Sequence, residues 1–153
     1  MTSAAKIILT AETIPRVDID FMNNTHFEEL DMVKTLGDLI VDCQQNENEC
    51  DTIHLVLNEW FEHTQSHFER ENTLMIACHF PMYPVHSAEH SRVLDEMQAM
   101  IKAWEKDHDI DSLSQYVFSD WPNWFEAHVN SMDMVTAQFA VMHGFDPHSE
   151  PAQ

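Results

Sequence analysis

The sequence predicts an all-α protein, an antiparallel up-down-up-down four-helix bundle preceded by an N-terminal arm. Three observations predict it. Two glycines and six prolines in 153 residues leave few turns, which favours a handful of long helices over many short strands. Apolar residues recur in steps of three and four along four stretches. Histidines and carboxylates stand in helix-compatible pairs on the same stretches: His63, His67 and Glu71; His86 and His90; His128 and Asp133. A step of four places two side chains on one helix face, one turn apart.

Residues 1–17 read as an arm, because Pro15 and scattered β-branched residues resist helix. Residues 18–146 form the bundle, and residues 147–153 a tail that frays from 148. The first helix starts at Asp18 or Asp20 and runs to about Cys43 on Leu30, Val33, Leu36, Leu39 and Ile40. Thr25 with Glu28 offers a competing capping-box start. Gln44–Glu49 is a polar turn. The second helix spans about Asp51 to His79, carrying Leu57, Trp60, Phe61, Phe68 and Met75. Pro81 and Pro84 break the pattern.

The third helix spans about Val85 to Lys106, with Val93, Leu94, Met97, Ile101 and Trp104 inward and Lys102 and Lys106 near its negative end. Asp111 or Ser112 caps the fourth. Pro122 either separates a short helix at 112–119 or bends one long helix. The pattern ends near His143, with Gly144 at C′ and Pro147 beyond. Helices of this length span roughly 33–44 Å, and short connections make neighbours antiparallel.

Composition narrows the function. At 44% hydrophobic the chain buries a real core, and ten methionines and nine phenylalanines suit helix interiors. Acidic residues number 27 against 7 basic, a formal net charge of −20. That charge repels phosphate backbones and anionic membranes, so neither nucleic acid nor membrane is an expected partner. The apolar stretch around Ile7–Leu9 is too short for a signal peptide, and no segment has the roughly 20 apolar residues a bilayer span needs. Three cysteines without a CxxC pair argue against a disulfide framework and for a reducing cytoplasm. Whether Cys43 and Cys50 bridge across their turn stays open; Cys78 reads as a small buried side chain.

The histidines and carboxylates carry the chemistry. Imidazole nitrogen with carboxylate oxygen suits iron, zinc or manganese. His63, His67 and Glu71, His86 and His90, and His128 and Asp133, with His26 alone upstream, stand on four helical stretches, too many ligands for one ion and suited to a pair inside a bundle. The step from His128 to Asp133 is five, which turns them about 140° apart on a regular helix. Either Asp133 reaches a metal shared with another helix from that angle, or a π-bulge realigns the pair.

The chain resembles the hemerythrins, non-heme di-iron oxygen-binding proteins, over about residues 18–143. The carrying segments are His26 in Asn24–Leu30, His67–Met75, Tyr83–His90 and Trp124–Asp133, which follow the order H…HxxxE…HxxxH…HxxxxD. The resemblance implies two iron ions with an oxo or hydroxo bridge. His86, His90 and His128 would hold one iron, and His26 and His67 the other. Glu71 and Asp133 would bridge both. Dioxygen, or a related diatomic or peroxide ligand, would bind at the open position of the two-imidazole iron. A protein that binds oxygen reversibly without being an enzyme is the first expectation, as a monomer or small homo-oligomer. A di-iron redox enzyme acting on hydrogen peroxide or nitric oxide, or an iron-handling protein, is the alternative.

Phe68, Trp124, Phe125 and Val129 flank these ligands and are expected either as ordinary core or as a dry wall around bound oxygen. Two positions depart from the oxygen carriers: Glu29 replaces an apolar pocket residue, and His63 stands where tyrosine is common. Either group fills the open position or donates a proton beside it. Otherwise Glu29 points to solvent and His63 hydrogen-bonds behind the ligands. His54, His79, His108, His143 and His148 lack ligand spacing and read as surface or helix-end residues.

Overall fold

A computed structural model describes residues 9–150. The first eight residues of the expected arm, with most of its apolar stretch, and the last three of the tail lie outside the described residues. The described residues are helical, without a strand, and form a four-helix bundle. No helix among them is long and apolar enough to cross a membrane.

The arm is fastened to the bundle. Leu9, Ile14, Val17 and Ile19 are buried. The Asn23 side chain accepts from the Val17 amide and donates to the Val17 carbonyl, both at 2.8 Å. Helix α1 runs Asp20–Gln45. The alternative start at Thr25 is not used; its hydroxyl donates to the Phe21 carbonyl inside the helix. The C-terminal segment returns to this helix start. The Asp20 amide donates to the Pro147 carbonyl, and His148 Nδ1 lies 2.7 Å from Asp20 Oδ2, so His148 is tied where fraying was expected.

A 3₁₀ turn at Glu47–Glu49 leads into α2, Ile53–Ala77. That turn folds Cys50 back beside Cys43, Cα atoms 4.7 Å apart, and the two form a disulfide. The bridge that the sequence left open for this pair is therefore formed, and three cysteines without a CxxC pair do not exclude a disulfide. Closing so short a loop contributes on the order of 2 kcal/mol by restricting the unfolded chain. Cys78 remains a free, half-buried thiol whose pKa burial pushes up.

Helix α2 ends with His79 in the left-handed region, φ 57°. The Phe80 amide reaches the Met75 carbonyl and the His79 amide the Ile76 carbonyl, so the last carbonyls of α2 are satisfied by a Schellman turn. Pro84 sits in the first turn of α3, Tyr83–Asp107, where its missing N–H costs nothing.

The fourth rod has more parts than expected. Helix α4 is Ile110–Gln115, capped by Asp109, one of its carboxylate oxygens accepting from the Ser112 amide, in place of the expected Asp111 or Ser112. A π-turn at Tyr116–Asp120 precedes α5, Trp121–His128, and a second at Val129–Asp133 precedes α6, Met134–Met142. Pro122 falls in the first turn of α5, just past the first π-turn. The rod then closes as predicted, with Gly144 at φ 98° and the Phe145 amide on the Ala140 carbonyl.

Helix α2 lies between α1 and α3, and the fourth rod closes the bundle against α1, α2 and α3. One part of the core is apolar, built from Leu36, Ile40, Ile53, Leu57, Trp60, Met97, Val117 and Trp121. Another holds the buried histidines and carboxylates.

Candidate metal centre

Each rod contributes to one buried cluster: His26 from α1, His67 and Glu71 from α2, His86 and His90 from α3, and His128 and Asp133 from the fourth rod. All seven side chains are buried. Every imidazole turns its Nε2 inward, and the carboxylate oxygens divide between two groups. Glu71 Oε2 lies 2.8 Å from His67 Nε2 and 3.7 Å from His26 Nε2, and Asp133 Oδ2 lies 3.0 Å from His26 Nε2. The other two oxygens face the remaining histidines. Asp133 Oδ1 lies 3.1 Å from both His86 and His128 Nε2; Glu71 Oε1 lies 3.3 Å from His90 Nε2 and 3.7 Å from His86 Nε2. Each carboxylate thus turns one oxygen to the His26–His67 side and the other to the His86–His90–His128 side.

The donor set fits metal. His90 Nε2, Glu71 Oε1 and Asp133 Oδ1 are buried without a hydrogen-bond partner, and all three face the centre. Such atoms are costly unless something inside accepts their lone pairs. Ligand atoms of Glu71, His86, His90, His128 and Asp133 lie within 4.8 Å of one another, as do those of His26, His67, Glu71 and Asp133.

The local helix geometry explains why Asp133 joins. Five residues separate it from His128, yet His128 Nε2 and Asp133 Oδ1 are 3.1 Å apart. The π-turn at Val129–Asp133 absorbs the extra residue and restores a common face, the second of the two alternatives that the spacing left open.

The outer nitrogens are held differently. His86 Nδ1 faces the Thr136 hydroxyl at 2.8 Å, and His90 Nδ1 the Asn72 carbonyl oxygen at 2.9 Å. His67 Nδ1 faces the Glu29 carboxylate at 3.2 Å. His26 Nδ1 is buried without a partner. The Glu29 and Asn72 oxygens can only accept, so they place a hydrogen on Nδ1 of His67 and His90 and leave Nε2 to ligate. Thr136 and Asn72 carry no spacing signal, since threonine and asparagine beside a ligand are common on any helix. Thr64 and Trp60, which touch Glu29, had a faint one: Thr64 is three residues before His67, on the same face.

Glu29 and His63 do not meet the inward atoms of the seven ligands; they stand behind His67. Glu29 is buried, so the solvent-facing alternative is excluded. Its Oε1 accepts from His63 Nδ1 at 2.9 Å and from His67, and its Oε2 from Trp60 Nε1 at 2.8 Å. Burial alone would raise its pKa, but the hydrogen bonds and charges of His63 and His67 hold it at about 2. His67 mirrors this. Burial would lower it, and Glu71 and Glu29 lift it to about 10 without metal. Glu71 and Asp133 are likewise held well below the usual carboxylate range: burial and, for Glu71, the Asp133 charge push up, and the surrounding histidines outweigh them. His90 moves the other way, because its burial outweighs the pull of Glu71.

Aromatic rings line the ligands. Phe68 stacks on His90 at 4.0 Å between centroids, Trp124 stacks on His128 at 4.6 Å, and Phe125 meets His26 edge-on at 5.5 Å. Phe68, Phe125 and Val129 are buried; Trp124 is half-buried. His54, His79, His108, His143 and His148 stay outside the cluster.

Known proteins agree with this architecture. The chain matches the family described as Hemerythrin HHE cation binding domain over residues 17–140. It is 23% identical to a bacteriohemerythrin of Aquifex aeolicus (strain VF5) over 132 residues, covering 86% of this chain and 97% of that protein. A bacteriohemerythrin of Ralstonia nicotianae (strain ATCC BAA-1114 / GMI1000) is 31% identical over 96 residues, covering 63% of this chain and 69% of that one. No solved structure matches it significantly. With four rods converging on a buried histidine–carboxylate cluster and the match spanning most of its length, the chain belongs to the hemerythrin HHE cation-binding family.

Proposed function

We propose that this protein holds two iron ions and binds dioxygen reversibly, for storage, delivery or sensing. One observation supports it above the others: Glu71 and Asp133 each divide their oxygens between the His26–His67 pair and the His86–His90–His128 triad. That division suits bridging of two cations, whose mutual repulsion the anionic carboxylates offset. The pair supplies one imidazole fewer than the triad, so a metal held there would have room for a small ligand. Iron held by these residues would supply the electrons that oxygen binding requires.

The protein's own residues bind and orient. His86 and His90 are aimed by Thr136 and Asn72. Phe68, Phe125 and Val129 exclude water, which slows loss of partly reduced oxygen species. The occupant is dioxygen or a diatomic or peroxide of similar size, and the protein acts as a monomer or small homo-oligomer.

A second reading, a di-iron redox enzyme acting on hydrogen peroxide or nitric oxide, is favoured by the buried Glu29 carboxylate against His67. Negative charge there favours the oxidised metal and works against reversible oxygen binding. Iron handling without gas chemistry is the remaining alternative. Adding air to the anaerobically reduced, iron-loaded protein separates them. A visible charge-transfer band that appears with oxygen and fades when it is removed supports the carrier. Immediate oxidation without a reversible band supports the enzyme. A chain that purifies with zinc alone and cannot be loaded with iron contradicts all three.

A further inference from the structure

Glu29 is a carboxylate that needs no metal. All its contacts come from α2, across from α1. His63 Nδ1 and His67 Nδ1 donate to Oε1, Trp60 Nε1 donates to Oε2, and the Thr64 hydroxyl lies 3.2 Å from Oε2. The Thr64 hydroxyl gives its hydrogen to the Trp60 carbonyl at 2.8 Å, so three N–H groups hold the carboxylate where it stands. His63 extends the contact outward: half-buried, it places Nε2 3.1 Å from Oε2 of the exposed Glu28. A line of polar groups therefore runs from solvent through His63 and Glu29 to the back of one ligand.

His67 is the ligand so treated. Behind His86 is a neutral hydroxyl, behind His90 a neutral amide oxygen, and behind His26 Nδ1 no hydrogen-bond partner. An ionised acceptor makes a hydrogen bond about twice as strong as a neutral one, and it adds electron density to the imidazole that donates. A richer donor stabilises a more highly charged ion more than a less charged one.

We propose that Glu29 is a positioning residue that grips His67 by its Nδ1 hydrogen, strengthens Nε2 as a metal donor, and thereby raises metal affinity and lowers the reduction potential on the His26–His67 side, with His63 holding the carboxylate in place. The potential rests on the di-iron reading above; the affinity does not. Outer acceptors of ligating histidines are typically worth about 10–100-fold in metal affinity.

The test compares wild type with Glu29→Gln, which keeps the shape and removes the charge, and with His63→Gln, which loosens the carboxylate. Zinc titration of the metal-free proteins should show affinity of one site falling about 10–100-fold in Glu29→Gln and less in His63→Gln. In the iron-loaded proteins, one-electron reduction by dithionite should occur at a higher potential in Glu29→Gln, by 59 mV for each tenfold loss of preference for the ferric ion. A purely structural role would lower thermal stability and leave the potential where it was. If Glu29→Gln fails to fold, Glu29→Asp carries the same expectation at smaller size. Unchanged zinc affinity and unchanged potential in the folded variant overturn the proposal. A wild-type chain that takes up fewer than two ions overturns the di-iron reading instead.

Discussion

The two sides of the centre are built on different principles. The triad side is rigid and neutral at its back: two imidazoles lean on a hydroxyl and an amide, and two lie flat against Phe68 and Trp124. The pair side is charged and uneven, with a carboxylate held by three N–H donors behind His67 and no hydrogen-bond partner behind His26 Nδ1. Stacking fixes a ring without altering its donor strength, whereas a buried anion changes it. The contrast places structural constraint where no ligand is expected and electronic control where one is.

Removing what the two sides share has the largest effect. Asp133→Ala should cut metal uptake from two ions to one or none while the far-ultraviolet circular dichroism stays helical, because the apolar part of the core is untouched. Metal analysis checks it, and two ions retained would show that the shared oxygens do not bridge.

Acid and alkali should next expose the pair side. In the metal-free protein Glu29 sits at about 2 against an ordinary 4.5, so its contribution is complete above 4.5 and disappears as pH falls towards 2. His67 sits at about 10 against 6.5, so its contribution is complete below 6.5 and disappears as pH rises towards 10. Chemical denaturation across pH should place maximum stability between those limits. Glu29→Gln should flatten both arms.

A smaller effect is expected on the neutral side. Thr136→Val deletes the hydroxyl facing His86 Nδ1 and leaves that nitrogen unpaired, costing about 1–3 kcal/mol of stability in the metal-free protein. Its effect on reduction potential should be weaker than that of Glu29→Gln, since no charge is removed. An equal effect would erase the distinction between the sides.

Smallest of all, Trp124→Leu removes a half-buried ring stacked on His128. Any oxygen adduct should decay faster, with metal content unchanged.

Much of this was legible in the residues. The helices follow from three- and four-residue apolar steps, and their ends from Pro84 and Gly144. The seven inward side chains follow from spacing together with family resemblance. Cys43 and Cys50 escaped because their approach depends on a 3₁₀ turn that nothing in a polar run dictates. The π-turn at Tyr116–Asp120 escaped because Pro122 drew attention to a break two residues later than the backbone places it. Glu29 could be flagged but not placed, since its direction depends on four partners in another helix, some 31 to 38 residues away.

The wide turn at Val129–Asp133 bears on how the gene can change length. A regular helix aligns residues four apart, and this turn aligns residues five apart. Excising one codon among 129–132 should therefore straighten the rod and leave His128 and Asp133 side by side. Adding a codon there should swing the aspartate away from its partners. Shortening should be tolerated at this spot and lengthening should not.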